Sequence, residues 1–129
     1  MLTKDVAFRL AETWITAWNA HDLDRIMAHY EEDVELVSPV AVERLGISDG
    51  KVTGKADLRA YFQKGLEAYP ALRFTLIEVL VGCQSVVLYY ENQRGTHTGE
   101  YMEISSVGKV SRVVANYSGS FATHLLTST

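Results

Sequence analysis

The sequence predicts an α+β domain, a curved and mainly antiparallel sheet wrapped around an apolar cavity and closed by three helices. Three observations predict it. Apolar residues recur at helical spacing over residues 4–30 and again over 55–69. From residue 73 onward the chain reads as four strands rich in Val, Ile and Tyr. The turn signals between those strands are short enough to demand antiparallel neighbours. Helices gathered on one side of such a sheet make the α+β class, and the space they enclose is a common place for a ligand.

The first helix spans residues 4–20, where Val6, Leu10, Trp14, Ala17 and Trp18 form one apolar face. Thr3 suits its N-cap and Asp5 its first turn. Asp22 starts a second, shorter helix whose stripe is Leu23, Ile26, Met27 and Tyr30. The period then changes, and Val34–Ser38 reads as a short strand closed by Pro39, which cannot donate to a ladder. Residues 40–55 read as a long connection, since Gly46, Ser48, Asp49, Gly50 and Gly54 are turn formers. Its apolar Val40, Val42, Leu45 and Ile47 predict that it lies against something, as a lid would. The third helix covers 55–69, with the stripe Leu58, Phe62, Leu66 and Tyr69 flanked by Tyr61 and Gly65, and Pro70 beyond its end. The strands are expected at Arg73–Val81, Ser85–Asn92, Thr98–Ser105 and Lys109–Ser118. Residues 123–129 read as a loose tail.

Composition narrows the function. The chain has 129 residues, enough for one domain (1–129), with 47% hydrophobic and 22% charged residues. The formal charge is −4 and no basic stripe is present, which speaks against nucleic acid as a partner. No apolar run approaches the ~20 residues of a membrane span, and residues 1–20 lack the pattern of a signal peptide. The single Cys83 excludes an internal disulfide, and a cytoplasmic protein is the expectation. The glycines are scattered rather than gathered in a phosphate loop, so no cofactor is implied. His21, Asp22, Asp24 and His29 lie close in sequence without metal-ligand spacing, so no metal is expected.

Several segments together carry a resemblance. Ala17-Trp18-Asn19-Ala20-His21-Asp22-Leu23-Asp24 continues into Tyr30, Asp33 and a strand that ends at Pro39. Gly54-Lys55-Ala56-Asp57-Leu58-Arg59-Ala60-Tyr61-Phe62 and the late Gly108-Lys109-Val110 come next in order. Over residues 5–119 this resembles the nuclear transport factor 2-like superfamily, in its SnoaL-like and ketosteroid isomerase-like branch, with a cystatin-like α+β cone. The resemblance implies a pocket inside the cone and a homodimer packed sheet against sheet. It also implies where to look for chemistry. Where the steroid isomerases have a tyrosine on the first helix, this chain has Trp14. Where they have a carboxylate base before the proline, it has Ser38, which is no base at neutral pH. Where they have a protonated acid on a late strand, it has Glu100. One carboxyl of the expected set is therefore kept, and a steroid isomerase is not expected. The polyketide cyclases' aspartate on the last strand corresponds to Asn116, a poor general acid.

Glu100 is thus the candidate catalytic acid or oxyanion donor. It is in phase with Met102 and Ile104 on its strand, so it faces the cavity if they do. The alternative is a solvated glutamate at a strand end. His97, three residues earlier, falls on the opposite face and reads as an exposed hairpin residue; His21 reads as a solvated helix end. Trp14, Trp18, Ser38, Tyr61, Phe62, Met102, Val113 and Tyr117 are the candidate ligand-binding residues. The resemblance aims Val113, Ala115 and Tyr117 inward and Val110, Arg112, Val114 and Asn116 outward. That outward face is apolar enough to favour a second copy of the chain. The predicted partner in the cavity is a small hydrophobic molecule. The predicted chemistry is cofactor-free acid–base isomerisation, cyclisation or dehydration of a hydrophobic carbonyl compound, with a recruited water or Glu43 as the missing base. The competing readings are a non-catalytic ligand-binding module and a dimeric protein-interaction module.

Overall fold

A computed structural model describes residues 2–118, and the predicted tail at 123–129 lies outside the described residues. Helix α1 (Lys4–Asn19) opens on Thr3, whose hydroxyl accepts from the Val6 amide at 3.3 Å. Helix α2 (Leu23–Met27) opens on Asp22, which accepts from the Arg25 amide at 3.2 Å. Between them His21 takes a left-handed conformation, φ 54°, unusual for a residue with a Cβ. Its Nε2 lies 2.8 Å from the Leu72 carbonyl oxygen. His21 is therefore a structural tie between α1 and the loop before the third strand, not a solvated helix end.

Strand β1 runs over Tyr30–Val37, longer than the sequence suggests, and takes Tyr30 out of the α2 stripe. The expected connection over 40–55 holds two further elements, α3 (Pro39–Leu45) and β2 (Lys51–Thr53). Pro39 therefore starts a helix rather than closing a strand: its missing N–H costs nothing in a first turn, and Ser38 before it caps Val40 N at 3.1 Å. Gly46, φ 68°, ends α3 in the left-handed conformation glycine adopts freely. Among the described residues the fold has four helices, the last being α4 (Lys55–Ala68), instead of the expected three.

The remaining strands match expectation within two residues: β3 (Thr75–Val81), β4 (Ser85–Glu91), β5 (His97–Ile104) and β6 (Val110–Tyr117). The sheet order is β2-β1-β6-β5-β4-β3. The β1–β6 pair is parallel, and every other pair is antiparallel. The helices cover one face and build the core with it. Trp14, Ala11, Ile26, Leu58, Leu88, Met102 and Val113 are buried there.

Register decides what each face of the sheet presents. On the inner face, Leu88 of β4, Glu100 of β5 and Ala115 of β6 form one row, and Tyr90, Thr98 and Tyr117 form the next. On the outer face, Val37, Val114, Tyr101, Val87 and Leu80 form one unbroken row over five strands. Val110 does not join that outer face: it is wholly buried. The ladder slips between Glu103 and Ile104, so Ile104 pairs Val110 while Glu103 pairs Arg112. Ser111 is the extra residue, and a bulge of this kind reverses the side-chain alternation behind it.

Candidate functional site

The inner face of β5 alternates strictly between half-buried and buried, which sends Thr98, Glu100, Met102 and Ile104 inward. Glu100 is 6% exposed and lines a cavity of about 80 Å³. Its Oε1 accepts from the Tyr90 hydroxyl at 2.6 Å, a diagonal contact across β4 and β5. No cation pairs with it among the described residues. Burial therefore dominates, pushing its carboxyl from 4.5 up to about 7, and the Tyr90 bond offsets this only in part. Near neutral pH Glu100 exists in both forms, so it can take a proton and return one.

The hydroxyls of the site come from three elements. Tyr117 of β6 sits diagonally across from Glu100 on the same face. Tyr61 comes from α4, and Ser38 from the junction of β1 and α3. Ser38 lowers the pKa of the Tyr61 and Tyr117 hydroxyls, against the larger effect of their burial. Ser38 is 2% exposed and held from both sides: its N–H donates to the Gly50 carbonyl at 2.9 Å, and its Oγ accepts from Val40 N. Burial pushes Tyr61 up to about 12 and raises Tyr117 further, so both stay neutral donors at physiological pH.

The rest of the wall is aromatic. Trp18 packs against Phe62 with ring centroids 4.8 Å apart, and Phe74 against Tyr90 at 4.5 Å. Trp14 is wall but not a free donor, because its indole N–H donates to the Tyr30 hydroxyl at 2.9 Å. Trp18 differs: its Nε1 is buried and has no hydrogen-bond partner among the described residues. Arg44, from the last turn of α3, brings a cation to the wall.

The structure thus gathers Glu100, Trp14, Trp18, Ser38, Tyr61, Phe62 and Tyr117 around one space. Met102 and Val113 face the same way but pair with each other one row deeper, fully buried and off the wall. Glu43 is exposed and does not line the cavity. His97 meets Tyr89 instead, with Nδ1 2.9 Å from its hydroxyl, on the face opposite Glu100. Tyr90 and Arg44 are wall residues outside the set expected from sequence. Tyr90 is legible there: a turn centred on Arg94 pairs Tyr90 with Thr98 and sets it diagonal to Glu100. Arg44 is hidden as long as α3 reads as loop.

Comparison with known proteins bears directly on this architecture. The family model described as a SnoaL-like domain matches residues 11–116, most of the chain. The chain belongs to the SnoaL-like family. It is 35% identical, with a TM-score of 0.89, to a SnoaL-like protein of unknown function from Burkholderia thailandensis, over 91% of this chain and 98% of that one. A proposed ketosteroid isomerase from Kribbella flavida is 21% identical, with a TM-score of 0.72, over 90% and 80% of the two chains. A protein of unknown function with a cystatin-like fold from Methylobium petroleophilum is 12% identical, with a TM-score of 0.72, over 92% and 80%. The last two likenesses show the fold alone. No curated protein matches the chain significantly. This SnoaL-like chain therefore has its family and cone from the comparisons, and its chemistry must be argued from its own wall. Among the described residues no helix is long and apolar enough to cross a membrane.

Proposed function

We propose that this SnoaL-like protein carries out cofactor-free proton transfer on a small carbonyl compound held in the cavity. The observation that supports it is Glu100, a buried carboxyl without a cation partner among the described residues, facing the same space as the Tyr117, Tyr61 and Ser38 hydroxyls. In the carboxylate form Glu100 removes a proton from the carbon beside the carbonyl. The electron pair of that C–H bond moves onto the oxygen, where the tyrosine hydroxyls donate to the developing enolate. Glu100, now protonated, returns the proton at the same or a conjugated carbon, and no atom or electron is gained or lost. Glu100 is thereby its own base, which removes the need for Glu43 or a recruited water.

The cavity bears on substrate size. About 80 Å³ is far more than one water needs but smaller than the ~150 Å³ engineered cavity that takes up benzene. That favours a compact ketone over a steroid. The test is α-proton exchange of cyclopentanone in deuterated water, monitored by NMR. Wild-type protein accelerates the loss of the α-proton signal and Glu100→Gln does not. Equal rates with both proteins, at matched folding, overturn the reading and leave a binding module.

We also propose a homodimer through the outer sheet face. The row Val37, Val114, Tyr101, Val87 and Leu80 supports it, because a continuous apolar stripe across five strands is poorly suited to water. Beside it runs the row Glu35, Arg112 and Glu103, ion-paired at 3.4 Å and 3.6 Å. An apolar core with a charged rim is what an association surface needs.

A further inference from the structure

We propose that the cavity is built for a small organic acid, whose carboxylate is received by Arg44. This rests on the reading that the cavity is a ligand site, and adds the charge of the ligand. Among the described residues Arg44 is the single Lys or Arg on the cavity wall, as Glu100 is the single acid. The chain has sixteen acids against twelve Lys plus Arg, so carboxylates are plentiful. Arg25 pairs with Asp22, Arg59 with Asp24, and Arg112 with Glu35 and Glu103. Arg44 pairs with none among the described residues, and unlike Arg9 and Arg73, which make no ion pair there either but are exposed, it is half-buried on a cavity wall.

It is nevertheless held in place. One Nη donates to the Lys64 carbonyl at 3.3 Å, and the guanidinium lies 5.4 Å from the centre of the Tyr69 ring. The fork therefore keeps most of its five donors for something else. Whatever fills the cavity strips water from this half-buried cation. A neutral hydrocarbon would leave that loss uncompensated, whereas a carboxylate would answer it with two parallel, charge-assisted bonds.

The wall also carries neutral donors, the hydroxyls of Tyr61 and Tyr117. A short oxo acid brings both acceptors in few atoms: a carboxylate for Arg44 and a carbonyl oxygen for the wall donors. The carbon beside that carbonyl is the one the Glu100 chemistry needs.

The experiment is calorimetric titration with two probes that share one body, α-ketoisovalerate and isopropyl methyl ketone, in which a methyl replaces the carboxylate. Wild-type protein is expected to bind the acid roughly tenfold tighter than the ketone, at about 1.4 kcal/mol per factor of ten. Arg44→Met, folded by circular dichroism, abolishes the preference, and Arg44→Lys keeps part of it, because it retains charge without the fork. Acid preference is read as binding heat and proton exchange as loss of the α-proton signal, so failure of acid binding and failure of the proton-transfer reading are separate results. Equal binding of the two probes by wild type, binding of neither at millimolar concentration, or a preference that survives Arg44→Met overturns the proposal.

Discussion

The Tyr90 hydroxyl donates to Glu100 Oε1 at 2.6 Å, and both side chains are buried on the inner face of the sheet. The contact comes from register: Tyr90 pairs Thr98 and Leu88 pairs Glu100, so the two partners are diagonal neighbours. One neutral hydrogen bond is a small return for burying a carboxylate, which is why the acid form is favoured.

That relationship makes stability depend on pH with a definite sign. Burial takes the Glu100 carboxyl from 4.5 to about 7. Between those two values the folded chain holds a proton that the unfolded chain has released, so stability falls as pH rises through the window. The loss is roughly 3 kcal/mol by neutral pH and flattens above it. Glu100→Gln cannot ionise and still accepts from Tyr90, so the variant should lack this slope and be the more stable protein at pH ~8. Urea midpoints across pH ~5 to ~8 check it; a wild-type profile parallel to that of the variant would sink the assignment.

The two tryptophans of α1 are one turn apart and chemically alike, yet their N–H groups differ in fate. Trp14 donates to Tyr30, and Trp18 donates to nothing among the described residues. Trp14→Phe leaves a buried tyrosine oxygen without its donor, at a cost of about 1–3 kcal/mol beyond the lost packing. Trp18→Phe removes an unmatched donor and loses packing alone. The expectation is that Trp14→Phe is the more destabilising by at least ~1 kcal/mol, read from paired thermal or urea melts. The reverse order would mean that Trp18 has a partner in solution.

Much of this site is legible in the sequence. Period-two alternation through Glu100, Met102 and Ile104 fixes which way the carboxyl points, because β5 has a buried face and no slip within that stretch. The same argument fails at Val110, where one extra residue, Ser111, shifts the ladder. No local pattern announces a bulge of that kind. Helix α3 escapes for another reason. Ser38-Pro39 is a sound helix start and Gly46 a sound stop, but seven residues between strands look like loop when the proline is read as a strand terminator. With α3 hidden, Arg44 is hidden too. Trp14 shows the limit at the site itself: sequence places it on the wall, but only packing can show that Tyr30 already takes its proton.

Gly65 lines the cavity from within α4, and a Cβ built there meets nothing within 4 Å. Its backbone is not in the left-handed region, so alanine fits without strain. Glycine inside a helix is less favourable than alanine by roughly 0.5–1 kcal/mol. Gly65→Ala should therefore raise stability by about that much while narrowing the cavity by a methyl group. If the open space is where ligand sits, the gain in melting temperature comes with weaker binding of α-ketoisovalerate. A gain in stability with unchanged binding would place the ligand elsewhere along the wall.

The outer row offers the most direct test of assembly. Val114 sits within it, between Val37 and Tyr101, and is half-buried within one chain. On an isolated protomer a lysine there extends into water and disturbs little. In a two-fold sheet-to-sheet dimer the same substitution occurs twice on one self-complementary patch, so two cations are buried close together with no partner. Val114→Lys should turn a dimer into a folded monomer, seen as a halved mass by light scattering with an unchanged far-ultraviolet spectrum. Cyclopentanone exchange should persist in that monomer, because Glu100 and its hydroxyl partners all come from one chain. A wild-type protein that is already monomeric would overturn the outer face as an association surface. A Val114→Lys protein that stays dimeric would move the interface to another face.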